Sequence, residues 1–140
     1  MNFDNETVVV TGAGRGIGRL TAERFASHGA NVVVADVDDA ADTAEHLDTD
    51  AIGVETDVTD AEAVRRLAET AVDRFGTIDV LVNNAAIYAP LVTQRDRRYD
   101  EIPVDEWRQV LDVNTTGVFI CCKEIVPRME AAGTGSVINV

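Results

Sequence analysis

Three glycines spaced Gly12-x-x-x-Gly16-x-Gly18 and a carboxylate at Asp36 form the pattern with the clearest chemical use. Ahead of the glycines, Thr7-Val8-Val9-Val10-Thr11 is a β-branched run that suits a buried parallel strand. Behind them, Leu20, Ala22, Phe25 and Ala26 recur at helical spacing up to His28-Gly29. A strand that turns through glycines into a helix points the helix's first N–H groups outward, beside the positive end of its dipole. That is a site for a pyrophosphate. Glycine is needed where the turn is tight and where a Cβ would hold phosphates away. A plain glycine-rich turn opening a helix fits the same letters, but the spacing excludes two rivals. A phosphate loop needs Gly-Lys-Ser/Thr, and the one lysine of the chain is Lys123. The Gly-x-Gly-x-x-Gly fingerprint needs glycine at 17, where Ile17 stands. A second strand, Asn31 to Ala35, ends in Asp36, eighteen residues past Gly18. A carboxylate there takes both ribose hydroxyls of an adenosine, and the two signals together favour a dinucleotide site.

Strands and helices alternate along the chain without a linker or repeat. Ala40 to Leu47 reads as a short polar helix and Ala51 to Glu55 as a third strand. Thr59 or Asp60 caps a helix whose Ala63, Val64, Leu67, Ala68, Ala71, Val72 and Phe75 keep one face apolar, and Gly76 closes it. Ile78 to Val82 is a fourth strand. A charged loop, Thr93 to Asp100, leads past Pro103 to a helix from about Val104 to Ala131, and Ser136 to Val140 starts a fifth strand. Alternating β and α with short connections predicts a single α/β domain, residues 1–140, built on a doubly wound parallel sheet. The 104–131 helix carries too many apolar residues, from Val110 to Met129, for one face. Two buried faces predict that one of them meets a partner chain.

Composition bounds the partners. With 140 residues and 46% hydrophobic content the chain has enough for a core. A net charge of −13 argues against a nucleic-acid backbone or an anionic membrane. No apolar run approaches membrane-spanning length, and the start Met1-Asn2-Phe3-Asp4-Asn5-Glu6 lacks a basic region and signal core, so the chain reads as cytosolic. Adjacent Cys121 and Cys122 read as buried thiols of a reducing compartment. Twenty-five acidic residues stand against eleven Arg and one Lys, and seven carboxylates fall between Asp36 and Asp50 with no Lys or Arg among them. No calcium-loop glycine pattern accompanies Asp38, Asp39 and Asp42, which read as a solvated face. Such lysine-poor, acid-rich surfaces are similar to those of proteins from salt-loving organisms, where salt screens self-repulsion. His28 and His46 lack a partner at metal spacing.

Thr11-Gly12-Ala13-Gly14-Arg15-Gly16-Ile17-Gly18 resembles the TGxxxGIG motif of the short-chain dehydrogenase/reductase family. Asn83-Asn84-Ala85-Ala86 resembles its NNAG, with Ala86 in place of glycine. Leu111-Asp112-Val113-Asn114 with Gly117-Val118-Phe119 resembles its central-helix pattern, so the likeness runs through essentially the whole chain. It implies a Rossmann-like fold and reversible hydride transfer between a nicotinamide ring and a secondary alcohol or ketone. It also implies cofactor contacts at Gly12, Arg15, Gly16, Ile17, Gly18, Asp36, Asp57, Val58 and Asn84. Asp57 would contact the adenine amino group, supported by the Val58 backbone; on its own letters Asp57 is also a plain turn Asp. Asn114, alternatively an exposed helix Asn, would join the catalytic tetrad by holding a water next to a catalytic Lys. The 104–131 helix would form much of a subunit interface, implying a homo-oligomer.

Arg15 would pack beside phosphate or neutralise a 2′-phosphate, whereas Asp36 would repel that phosphate. At an effective dielectric near 20, two charges about 4 Å apart cost roughly 4 kcal/mol, so Asp36 predicts NAD rather than NADP. The family's proton-transferring Tyr with a Lys four residues later, and its substrate-holding Ser, have no counterpart here: Tyr88 is followed by Val92 and Tyr99 by Pro103. The expectation is therefore the amino-terminal part of a longer enzyme, truncated before those residues and inactive alone. Two other readings stay open, a non-catalytic dinucleotide-binding protein and an S-adenosylmethionine methyltransferase, the latter disfavoured by Asn83-Asn84-Ala85 and Asn114. The substrate is not legible; the loop from Arg95 to Asp100 reads as charged surface sooner than as a substrate border.

Overall fold

The computed structural model describes residues 2–88 and 98–140. Its elements are β1 (Thr7–Thr11), α1 (Gly16–Ala26), β2 (Asn31–Asp36), α2 (Ala40–Glu45), β3 (Ala51–Glu55), α3 (Ala61–Phe75), β4 (Val80–Asn83), α4 (Val104–Leu111), α5 (Gly117–Ala132) and β5 (Ser136–Asn139). The strands form one sheet in the order β3-β2-β1-β4-β5, and every adjacent pair is parallel. Winding from β1 toward β3 and then from β4 toward β5 reverses direction. With crossovers of one hand, that reversal puts helices on both faces. Val8, Val10, Val32 and Val34 accordingly pack with Ala22 and Ala26 of α1 and Ala40 and Ala44 of α2. On the other face Val9, Val33 and Leu81 pack with Val64, Leu67 and Ala71 of α3 and Cys121, Ile125 and Met129 of α5. All five residues of β1 are buried, which is why that strand reads as an unbroken β-branched run rather than an alternating one.

Most boundaries follow the local signals. Asp60 caps α3 by accepting the Glu62 N–H at 2.9 Å, and Gly76 closes it with a left-handed φ of 85°. α2 stops at Glu45 rather than Leu47. β4 begins at Val80 rather than Ile78, although Asp79 already bonds Thr7 on one side and Ser136 on the other.

The helix expected over 104–131 departs from regularity. Between α4 and α5, Asp112–Thr116 is a π-helical turn, in which the Gly117 N–H reaches back five residues to the Asp112 carbonyl. One extra residue per turn is accommodated there, and Asn114 sits at its centre. Cys121, Ile125 and Met129 face the sheet. Val104, Trp107, Leu111 and Phe119 are exposed. Burial, with the neighbouring Cys122 adding to it, pushes the Cys121 thiol up to about 12. Cys122 is only half-buried, contrary to the expectation for both thiols, and its sulfur accepts the Asn83 side-chain N–H at 3.6 Å.

The acidic stretch has few counter-charges. Arg74 on α3 forks both oxygens of Asp50 at 2.7 Å, and His46 lies 3.8 Å from Asp42. Among the described residues, Asp38, Asp39, Glu45 and Asp48 have no ion pair. Raising KCl from about 0.1 M to 2 M shortens the screening length from roughly 10 Å to a few Å, so the complete protein is expected to melt at a higher temperature in 2 M KCl. A melting temperature that stays flat or falls over that range would show that repulsion here is already relieved.

Candidate active site

The carboxyl ends of β1, β2, β3 and β4 open into a cleft of about 410 Å³ at the point where β1 and β4 diverge in winding direction. It is lined by eight of the ten residues singled out from the sequence: Gly12, Arg15, Ile17, Gly18, Asp36, Asp57, Val58 and Asn84. Gly16 and Asn114 do not line it.

Thr11 holds the two sides of the cleft floor together. Its hydroxyl donates to the Val82 carbonyl at 3.3 Å and accepts the N–H groups of Asn84 at 3.0 Å and Ala85 at 3.1 Å. The Asn84 side-chain amide donates in return to the carbonyls of Thr11 and Gly12, at 3.0 and 3.1 Å. Asn84 thus braces β4 against the glycine turn while bordering the cleft. Asn83 donates to the Asn139 carboxamide oxygen at 2.9 Å, tying β4 to β5. Among the described residues only Asn5 and Asp39 take a positive φ without being glycine, so Ala86 fits its place without backbone strain.

α1 begins with no side-chain cap: Arg15 is in the N-cap position, extended, and makes no capping bond. The N–H groups of the first turn are left for an anion. Gly16 supplies the left-handed φ of 58° that turns the chain into the helix, with nothing near the position of a Cβ. Gly18 lets α1 approach the floor, since a Cβ there would run into the Gly12 carbonyl oxygen and lie 2.5 Å from the Asn84 amide nitrogen.

Two carboxylates stand at the strand ends. Asp36 accepts the Gly14 N–H on Oδ2 at 2.8 Å and the Asp38 N–H on Oδ1 at 3.1 Å. Asp57 accepts both the N–H and the hydroxyl of Thr59 on Oδ1, at 2.9 and 2.7 Å, and so serves the turn into α3 while bordering the cleft. Asn114 sits one layer behind the wall. Its Oδ1 accepts the Ile87 N–H at 2.8 Å, and its Nδ2 donates to the Ile87 carbonyl at 3.2 Å. Ile87 in turn lines the cleft. Asn114 is therefore not an exposed helix residue but the holder of the segment that follows β4.

Several lining residues carry no site role legible in the sequence: Val37, Thr56, Ile87, Tyr88, Gln109 and Val113. Thr11 and Gly14 stand within the glycine motif, but their bonds to Val82, Asn84, Ala85 and Asp36 come only from the fold. Gln109 carries no local signal, because helix α4 meets the cleft only through tertiary packing. Arg95 of the charged loop lies outside the described residues. Among the described residues no cluster of His, Cys, Asp and Glu is arranged to hold a metal, and no helix is long and apolar enough to cross a membrane.

A doubly wound parallel sheet with a glycine turn, an uncapped helix start and a carboxylate at the end of β2 defines a Rossmann-like α/β domain. The family profile "short chain dehydrogenase" matches residues 6–140, and the chain belongs to that family. It is 41% identical to a cis-4-hydroxycyclohexanecarboxylate dehydrogenase of Sinomonas cyclohexanicum, over 99% of this chain and 55% of that protein. It is 40% identical to a 3-oxoacyl-[acyl-carrier-protein] reductase of a Synechocystis species, over 96% of this chain and 55% of that one. A solved 7α-hydroxysteroid dehydrogenase, complexed with NADH and 7-oxo glycochenodeoxycholic acid, superposes with a TM-score of 0.85 at 32% identity, covering 99% of this chain and 54% of that one. The chain spans about half the length of the curated relatives it matches.

Proposed function

We propose that this chain is the cofactor-binding half of an NAD(H)-dependent oxidoreductase that interconverts a secondary alcohol and a ketone. The observation that carries the reading is the uncapped start of α1 bordering the same cleft as the Asp36 carboxylate. Those two features fit a dinucleotide: an anion-binding end for the pyrophosphate and an acceptor for ribose hydroxyls, in a cleft within the size range of small-molecule sites. Family membership favours this over the methyltransferase reading. Two relatives named for ring hydroxyls, a hydroxycyclohexanecarboxylate and a hydroxysteroid, support the secondary alcohol.

When bound, a nicotinamide ring supplies the hydride acceptor or donor. The residues of this chain would hold the dinucleotide that carries it. Gly12, Gly16, Ile17 and Gly18 would form the turn for the pyrophosphate, with Arg15 beside it; Asp36 would take the ribose, and Asp57 with Val58 the adenine. Asn84 keeps the turn in place, and Asn114 holds the Ile87 segment at the wall. The Tyr, Lys and Ser that the family resemblance implies have no counterpart in this chain, which spans about half the length of its relatives. Val104, Trp107, Leu111 and Phe119 present the apolar surface by which the enzyme forms a homo-oligomer, in the cytoplasm.

Cofactor titration tests the reading. Asp36 offers charge-assisted hydrogen bonds worth about 1.5–3 kcal/mol each to ribose hydroxyls, and NADP replaces one hydroxyl with an anion. The complete enzyme is expected to bind NAD more tightly than NADP, and Asp36→Ser to narrow the difference. Equal or tighter binding of NADP by the wild type would show that Arg15 dominates. An unchanged ratio in Asp36→Ser would remove Asp36 from the site.

A further inference from the structure

Asp36 is held from behind by Gly14, a glycine of the turn between β1 and α1. Gly14 donates its N–H to Asp36 Oδ2 at 2.8 Å while its carbonyl accepts the Thr43 hydroxyl at 3.0 Å. Thr43 belongs to α2 and is fully buried, and its own N–H bonds the Asp39 carbonyl at 3.0 Å. The preceding Ala13 N–H reaches the Ala35 carbonyl at 3.2 Å, so the loop lies alongside the end of β2. With Asp38 N–H on Oδ1 at 3.1 Å, each carboxylate oxygen carries one backbone donor. Two donors on two oxygens fix the plane of the group, and each oxygen keeps further acceptor capacity for a ligand.

The absence of a side chain at position 14 is a matter of room. Gly14 is not among the positive-φ residues, so the backbone twist does not demand glycine. A Cβ there would lie 2.5 Å from the Asp38 carbonyl oxygen, 3.0 Å from Asp36 Cγ and 3.1 Å from Asp36 Oδ2. Any side chain at 14 must push the carboxylate or the Val37–Asp38 backbone aside. The Gly14 peptide is gripped on its N–H side by β2 and on its carbonyl side by α2, so loosening either grip changes how Asp36 is presented.

We infer that Gly14 is a specificity-determining residue and Thr43 a positioning residue of the cofactor site: together they set the orientation in which Asp36 meets the adenosine ribose. The inference rests on the cofactor reading above. A loop that merely needs a compact turn would lose stability on substitution but would not change its preference between two dinucleotides that differ only at the ribose. An oriented carboxylate changes that preference, because a displaced Asp36 loses hydroxyl contacts to NAD and repels a 2′-phosphate less.

The test is titration of NAD and NADP, by quenching of intrinsic fluorescence, into the complete wild-type protein and its Gly14→Ala, Thr43→Val and Thr43→Ser variants, with thermal melts alongside. One hydrogen bond lost from the assembly corresponds to a fall of about 3- to 10-fold in the NAD-over-NADP preference for Thr43→Val. Gly14→Ala is expected to lower the preference further, and Thr43→Ser to keep it, because serine retains the hydroxyl. If Gly14→Ala does not fold, Thr43→Val against Thr43→Ser decides. A wild type that prefers NAD, with the preference unchanged in the folded variants, overturns this inference and leaves the cofactor reading standing. A wild type that prefers NADP overturns both.

Discussion

Replacing Asn114 by leucine is expected to lower the kcat of the complete enzyme about a hundredfold, because small displacements of a positioned wall can cost that much in rate. Leucine has a similar volume but can neither accept the Ile87 N–H nor donate to the Ile87 carbonyl, which Asn114 does at 2.8 and 3.2 Å. The two backbone groups are part-buried, so leaving them unpaired also costs about 1–3 kcal/mol each in stability. Dissociation of NAD should change by only a few-fold, since the pyrophosphate turn and Asp36 lie on other elements. Steady-state kinetics with a turned-over alcohol, read next to a thermal melt, separates the two effects. A kcat within a factor of two of wild type would show that the Ile87 segment needs no such anchor and would take Asn114 out of the reaction.

Gly18→Val is expected to destabilise the protein by about 3 kcal/mol, the upper part of the usual range for forcing volume into a packed site. The added carbons meet the Gly12 carbonyl oxygen and the Asn84 amide, and neither can withdraw: Asn84 is bonded to two carbonyls and Gly12 continues β1. Helix α1 must then lift from the floor and carry its uncapped first turn away from the cleft. Loss of NAD binding should accompany a fall of about 10 °C in Tm. Gly18→Ala, smaller by two methyls, should show the same two effects in reduced form. A Gly18→Val protein with wild-type melting and affinity would mean that the α1–β4 approach is not what the glycine serves.

The family resemblance and the sheet were legible because their signals are local. A buried parallel strand shows itself as an unbroken β-branched run, and β1, with all five residues buried, is such a strand. The capped helix α3 shows its stripe, its Asp60 and its Gly76 within one segment of chain. Of the apolar residues in the 104–131 region, Val110, Cys121, Ile125 and Met129 are buried and Val104, Trp107, Leu111 and Phe119 are exposed, a division that excess hydrophobicity alone does not assign. The π-helical turn at Asp112–Thr116 was not, since residue periodicity averages over a single inserted residue.

By itself the sequence determined the strand–glycine–helix unit, the carboxylate at the end of β2 and the order in which helices and strands alternate, because each depends on neighbours a few residues away. How those groups are held depends on segments far apart in the chain. Thr11 bonds Asn84 across 73 positions, Asn114 bonds Ile87 across 27, and Thr43 bonds Gly14 across 29. A hydroxyl or amide has no preferred partner in the chain; its partner is whichever backbone group the packing of the sheet brings within about 3 Å and removes from water. The glycines show the same division. Their spacing announced a turn, but which of them makes room for a helix, which for a carboxylate and which for the backbone itself depended on what the fold placed against each one.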